Sequence, residues 1–360
     1  MDLENIIRQI RPLDAAAEES ARRRQNVLIK PLGSLGRLEE LSVQLAGISG
    51  DWTRRYRSKA IVVMCADNGV YAEGVSAAPK EITLMQSLNF QKGITGVGVL
   101  SKLSGSDLVV VDIGIDSEVK SACFLDKKIR RGTSNLAKEP AMSRDETLKA
   151  VEIGFEEVRK LHDAGYDVVG TGEMGLGNTT TSSLVLMALT GCGVEEATGK
   201  GAGLTEEAYS HKKDIIRYAF ELHGPDKGDP LGVLEKVGGF DIAGLVGVYL
   251  GAACYRLPVV IDGVISVAAA LVASLLCPDT KCFMIPSHCS AEPAYGIAMK
   301  QLGLQPYFNL GMRLGEGSGC PLTFLLIDAA QNIINDMSTF EEAAMDDGDF
   351  VDIRESQPEA

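Results

Sequence analysis

The chain has 360 residues, enough to bury a large core in one or two domains. Its 45% hydrophobic and 23% charged residues are those of an ordinary globular protein. A formal charge of -14 argues against nucleic acid or an anionic membrane surface as a partner. It leaves room for an anionic small molecule, because a nest of backbone amides holds phosphate whatever the global charge.

The cysteines, Cys65, Cys123, Cys192, Cys254, Cys277, Cys282, Cys289 and Cys320, form no C-x-x-C pair and lie mostly in apolar surroundings. They read as reduced, mostly buried thiols of a cytoplasmic protein. The start, Met1-Asp2-Leu3-Glu4-Asn5, lacks the basic-then-apolar order of a signal peptide. The longest apolar stretch, near residues 263–277, is too short to span a bilayer. His162, His211, His223 and His288 show no metal-ligand spacing, so no metal is expected.

In chain order, Leu3, Ile6, Ile7 and Ile10 make an apolar stripe at helical spacing, and a second helical stretch covers residues 15–27. Lys30-Pro31-Leu32-Gly33-Ser34-Leu35-Gly36-Arg37 interrupts, and Leu38, Leu41, Leu45 and Ile48 resume the stripe. The continuous apolar run over residues 60–66 predicts a strand buried on both faces. Asp67-Asn68-Gly69 follows it, and a helix is expected near Pro79. Residues 108–112 form a second such strand. Phosphoribosyltransferases that use a pyrophosphorylated ribose follow such a strand with two adjacent acids and a Thr-Gly turn. Only Asp112 and the more distant Asp116 are present, which excludes that class and its magnesium.

Residues 144–163 read as a long amphipathic helix capped by Ser143. A third strand over 167–171 leads into Gly172-Glu173-Met174-Gly175-Leu176-Gly177-Asn178-Thr179-Thr180-Thr181 and a helix from about residue 182. Strand, glycine-rich loop and helix is the layout of a phosphate cradle. The spacing is that of a P-loop, but Asn178 stands at the lysine position, so a monophosphate suits it better than a nucleoside triphosphate. Gly199-Lys200-Gly201-Ala202-Gly203 then leads into a helix carrying Lys212. By default Lys212 lies on a solvated face; the alternative is a point charge on phosphate. A fourth strand covers 257–263 with Asp262 at its carboxyl end, and a fifth covers 281–286, followed by Ser287, His288 and Ser290. His288 there reads as structural.

The loop Leu314-Gly315-Glu316-Gly317-Ser318-Gly319-Cys320 sets one carboxylate among glycines ahead of a final helix over about 321–334. Glycines let backbone approach a ligand, and a carboxylate covered by that ligand gains basicity. Alternating strands and helices predict an α/β fold with a doubly wound parallel sheet. Residues 51–320 are expected to form this large domain. Residues 1–50 with about 321–345 are expected to form a small helical domain, and 346–360 an acidic tail.

Five segments are similar to one family: Lys30-Pro31-Leu32-Gly33-Ser34-Leu35-Gly36, Glu73-Gly74-Val75-Ser76, the run from Gly172 to Thr180, Gly238-Gly239-Phe240, and Arg313-Leu314-Gly315-Glu316-Gly317-Ser318-Gly319. Together they resemble the nicotinate-nucleotide:dimethylbenzimidazole phosphoribosyltransferases of cobamide (vitamin B12) assembly. The resemblance implies transfer of phosphoribose from nicotinate mononucleotide to an aromatic base, with inversion at C1′ and no cofactor or metal. It implies Glu316 as general base and Glu173 as a supporting carboxylate. Gly175, Gly177, Asn178, Thr179, Thr180, Gly201, Gly203 and Lys212, with Asp262 and Ser290 as weaker candidates, would hold the nucleotide and its phosphate. Ser76, Gln86, Met174 and Leu314 would line the base pocket, and the enzyme would be a homodimer. Asn68, Lys80 and Gly311 stand where many family members carry histidine, glutamine and aspartate, which leaves the base open among benzimidazoles, purines and phenols. A nucleotide hydrolase and a non-catalytic nucleotide-binding subunit are the other function classes compatible with these residues.

Overall fold

The computed structural model describes residues 3–122, 124–201, 203–346 and residue 352. Met1, Asp2, Cys123, Ala202 and the acidic tail at 347–351 and 353–360 lie outside the described residues. Six parallel strands are present: β1 (Lys59–Ala66), β2 (Asp107–Gly114), β3 (Leu125–Asp126), β4 (Val168–Met174), β5 (Val259–Ile261) and β6 (Met284–Pro286). Their order is β3-β2-β1-β4-β5-β6.

Every residue of β1 is buried. Side chains alternate across a strand, so β1 feeds two cores. Ala60, Val62, Met64 and Ala66 join one core, under the helices Arg144–Asp163, Asn178–Thr190, Phe240–Cys254, Val264–Leu276 and Ala294–Leu302. Ile61, Val63 and Cys65 join the other, with Leu41 and Leu45 of the helix Arg37–Ser49, Phe90 of Ile82–Lys92, Val97 of Gly96–Ser104, and Phe324 and Ile327 of Cys320–Asp336. The sheet is covered on both faces, as the alternating pattern predicts. No helix among the described residues is long and apolar enough to cross a membrane.

The helix Arg144–Asp163 starts where the sequence places it. Ser143 Oγ accepts from the Glu146 N–H at 3.2 Å, and Glu146 Oε2 accepts from the Ser143 N–H at 2.8 Å, which satisfies two otherwise orphaned donors. It packs against Phe240–Cys254 backbone to backbone. A Cβ on Gly154 would stand 1.8 Å from Gly244 O, and one on Gly247 would stand 1.9 Å from Val151 O.

Elsewhere the boundaries differ from the sequence expectation. β4 does not stop at residue 171 but runs to Met174, because Gly170 and Gly172 serve close approach rather than a turn: a Cβ on either would meet Cys320 or the Glu316 backbone. The helix expected from about 182 begins at Asn178, one residue after Gly177 turns the chain at φ +82°. β6 is confined to three residues, since Pro278–Phe283 winds as a 3₁₀ turn. The helix expected near Pro79 begins at Ile82. Cys65, Cys277 and Cys320 are buried, whereas Cys192, Cys254, Cys282 and Cys289 are only half-buried; all seven are free thiols.

The contact between Arg144–Asp163 and Phe240–Cys254 has no room for a methyl. Gly154→Ala is expected to lower stability by about 1–3 kcal/mol. Gly296→Ala is the control, since nothing stands within 4 Å of a Cβ there; it should be neutral or stabilising by about 0.5–1 kcal/mol through helix propensity. Denaturant unfolding of the two variants checks both signs.

Candidate active site

β1 and β4 are neighbours, yet the chain leaves them in opposite directions, through β2 to β3 and through β5 to β6. That switch point opens a crevice beyond the carboxyl ends of the strands. Asp67 and Asn68 follow β1, Glu173 and Met174 end β4, Asp262 follows β5, and Ser287 and His288 follow β6. Into this crevice comes the glycine loop, with three successive residues in the left-handed region: Gly315 at φ +78°, Glu316 at +62° and Gly317 at +85°. A glutamate held there costs roughly 1–2 kcal/mol. Asp262 holds it. Its Oδ2 accepts the Gly317 N–H at 2.9 Å and its Oδ1 the Gly319 N–H at 2.7 Å. Underneath, a Cβ on Gly172 would stand 2.8 Å from the Glu316 carbonyl oxygen.

The Glu316 side chain is 7% exposed. Its Oε1 accepts from Gln86 Nε2 at 2.7 Å, while its Oε2 is buried with no hydrogen-bond partner. Burial raises its pKa above the ordinary glutamate value, and the Gln86 bond offsets part of that rise. The Glu316 N–H donates to Glu173 Oε1 at 3.3 Å, so the two carboxylates are joined through backbone. Glu173 Oε2 accepts from the Asn178 amide, which also donates to Asp241 Oδ2 at 3.1 Å. Burial, reinforced by the charges of Asp241 and Asp262, pushes Glu173 up to about 8. Burial lifts Asp241 and Asp262 to about 7 each.

Glu173 and Glu316 face a cavity of about 280 Å³. Met174, Gly175, Gly177, Asn178, Thr179, Gly201, Ser290, Ser76 and Leu314 also line it. At one end, Thr179 in the first turn of its helix meets Lys212 from the helix Glu206–His223. Lys212 is not on a solvated face. It is wholly buried, and its Nζ donates to Thr179 Oγ1 at 2.8 Å and to Gly199 O at 3.1 Å. Burial pulls it down to about 8, with Glu292 opposing. A helix N-terminus with a buried ammonium behind it suits a phosphate.

The remaining sequence candidates are placed differently. Asp262 lies behind the glycine loop, with both oxygens committed to Gly317 and Gly319, and does not line the cavity. Thr180 is buried with its Oγ1 unpartnered and also lies off the lining, one helical position past Thr179. Gly203 turns at φ +100° beside open space. Gln86 reaches the site through Glu316. His288 is fully buried, bonded to Ser287 Oγ at 3.0 Å and held neutral, its pKa drawn to about 4 by burial. Of the three atypical positions, Asn68 donates to Leu176 O at 3.2 Å, Lys80 pairs with Asp116 at 2.7 Å, and Gly311 turns at φ +66°.

Three site residues escape sequence reasoning. Asp241 is the acid in the first turn after Gly238-Gly239, and that position was the available signal. Glu292 and Arg313 line the cavity, each beside a motif residue that sequence reading does single out, Ser290 and Leu314.

A family model described as a phosphoribosyltransferase, DBI_PRT, matches residues 10–345. The nicotinate-nucleotide–dimethylbenzimidazole phosphoribosyltransferase of Clostridium acetobutylicum is 50% identical over 346 residues, covering 96% of this chain and 98% of the relative. The protein of the same name from Clostridium tetani is 49% identical over 98% of both chains. Among solved structures, CobT from Thermus thermophilus superposes with a TM-score of 0.88 at 35% identity, covering 92% of this chain and 100% of that one. With its switch-point cavity and glycine loop carried on a backbone this similar, the chain belongs to the nicotinate-nucleotide–dimethylbenzimidazole phosphoribosyltransferase family.

Proposed function

We propose that the protein transfers the 5-phosphoribosyl group of nicotinate mononucleotide to a lower-ligand base such as 5,6-dimethylbenzimidazole, giving the α-ribotide 5′-phosphate and nicotinate for cobamide assembly. The observation that carries the reading is Glu316 Oε2, a buried carboxylate oxygen with no partner at the wall of a cavity whose far end suits phosphate. The bond from C1′ to the pyridinium nitrogen breaks, and its electron pair stays on that nitrogen. Nicotinate therefore leaves with a neutral ring and needs no acid. One nitrogen of the base bonds to C1′ from the opposite face, inverting it, and the proton on the other nitrogen passes to Glu316 Oε2. Glu173 stands behind the reacting carbon as a second carboxylate for positive charge developing there. Thr179, Gly201 and, through Thr179, Lys212 hold the 5′-phosphate. The apolar wall of Met174, Ile82 and Leu314 reads the base by fit. The reading extends to a cytoplasmic homodimer that requires neither metal nor cofactor.

Nicotinate release from nicotinate mononucleotide is expected only when a base is supplied. A panel of benzimidazole, adenine and phenol identifies the preferred one. Equal release with no base would instead indicate hydrolysis, and no release with any base a binding subunit.

Glu316→Gln is expected to lower turnover by roughly 10²–10⁴-fold, the usual worth of a general base. The base form exists only above the Glu316 pKa, which burial raises. Activity of the native enzyme should therefore fall with decreasing pH at values above the ordinary glutamate range, and the residual activity of Glu316→Gln should lack that limb. Near-native turnover with benzimidazole would sink the assignment.

Lys212 sets the alkaline side. A lysine drawn down to about 8 loses its cation as pH rises through that value. The kcat/KM for the nucleotide should fall above about pH 8 in the native enzyme. Lys212→Met should weaken nucleotide binding by roughly 10–100-fold, the worth of a hydrogen bond to a charged group, mostly in KM.

A further inference from the structure

Four acids from four different elements cluster at one end of the cavity, Glu173 and Glu316 on its lining and Asp241 and Asp262 behind it. Glu173 comes from the end of β4, Asp241 from the first turn of Phe240–Cys254, Asp262 from the end of β5 and Glu316 from the glycine loop. Asp67, at the end of β1, adds its charge to the field at Asp241. No lysine or arginine among the described residues pairs with Glu173, Asp241, Asp262 or Glu316. The one basic ring near them, His288, stands 3.9 Å from Asp262 and is held neutral by burial. Arg130 lies over the ring of Phe240 but is paired with Glu146 at 2.6 Å. The Cys65 thiol, fully buried nearby, stays protonated, since burial pushes its pKa up.

Glu173 and Asp241 share one amide. Both N–H groups of Asn178 are spent, one on each carboxylate. Buried like charges at that separation, with no cation to offset them, do not both ionise at neutral pH. Without a cation beside it the pair therefore holds a proton. The nucleotide that the proposed function brings here carries the missing cation, its N-ribosyl pyridinium ring. We propose that the Glu173–Asn178–Asp241 chain is a proton-holding cation site: the pyridinium end of the nucleotide docks by displacing a proton from the carboxylate pair to solvent, and Asp241, which touches no substrate, is the positioning residue that makes Glu173 hold that proton until the nucleotide arrives.

This rests on the substrate assignment above and adds two roles to it. The pair favours the nucleotide with its pyridinium ring over the products, since the α-ribotide and nicotinate leave no positively charged ring nitrogen beside Glu173. It also delivers Glu173 ionised only in the complex, where negative charge beside C1′ favours departure of the ring. Glu316, whose Oε2 is buried without a hydrogen-bond partner, lines the same cavity, so the incoming base finds its own acceptor and does not compete for the stored proton.

Calorimetric titration of the native enzyme with nicotinate mononucleotide, near pH 7 and in buffers of different ionisation enthalpy, counts the protons released. Ribose 5-phosphate has the same phosphate but no ring and gives the baseline. The nucleotide is expected to release roughly one proton more than ribose 5-phosphate. Asp241→Asn keeps an acceptor for Asn178 and removes one of the two neighbouring charges that reinforce burial in raising Glu173. It should reduce that excess and move a limb of the pH profile of kcat/KM to lower pH, with kcat retained better than kcat/KM; a purely structural Asp241 would lower activity without moving the limb. Saturable nucleotide binding with equal proton counts for the two ligands would overturn this inference alone. Absence of saturable binding would overturn the substrate assignment and the inference together.

Discussion

The two hydrogen bonds from Gly317 and Gly319 to Asp262 are the constraint on which the site depends. They tie the glycine loop to the end of β5, and without them nothing in the loop's own sequence would keep Glu316 in a left-handed conformation. Bonds from backbone N–H to a charged acceptor contribute about 1.5–3 kcal/mol each, enough to offset the strain at one residue. Asp262 does this from full burial, which lifts its own pKa to about 7. The anchor is thus coupled to the same field as the residues it positions. Gly172 completes the arrangement from below by leaving the space its side chain would fill.

The sheet supplies the convergence. In the order β3-β2-β1-β4-β5-β6 the strands that lead to Asp67, Glu173 and Asp262 lie side by side, so acids as distant in the chain as Asp67 and Asp241 come within each other's field. The helices that follow bring what the strands cannot. Asn178–Thr190 offers its N-terminus to the phosphate end, Phe240–Cys254 brings Asp241, and Cys320–Asp336 fixes the exit of the glycine loop while burying Phe324 and Ile327 against the opposite face of β1.

Much of this was legible in the sequence where local chemistry decides the outcome. The apolar run of β1 and the capping box of Ser143 and Glu146 are local, and the structure keeps both. Gly172 of β4 reads as the start of a loop because nothing local distinguishes a glycine that turns the chain from one that makes room for the Glu316 backbone. Lys212 lies in a charged amphipathic helix, and its complete burial depends on Thr179 and Gly199, from segments the helix pattern does not encode. Asp241 stayed hidden for the same reason: its significance lies in a shared amide, and the amide belongs to a residue 63 positions away.

The uneven charge along the cavity follows from these placements and suits the anionic nucleotide of the proposed function, although the protein is strongly acidic overall. The end that suits phosphate holds the buried ammonium of Lys212, with Glu292 beside it, and a helix N-terminus; the other end is lined by Glu173 and Glu316, with Asp241 behind Glu173. A nucleotide with a phosphate at one end and a cationic ring at the other has a single favourable orientation in that field, with C1′ beside Glu173. Reversed, it would set phosphate against buried carboxylates, a like-charge contact in a poorly solvated site. In the proposed function, orientation and ring charge would therefore be read by the same residues, before any contact with the incoming base, and discrimination among bases would fall to the apolar wall around Leu314 and Met174.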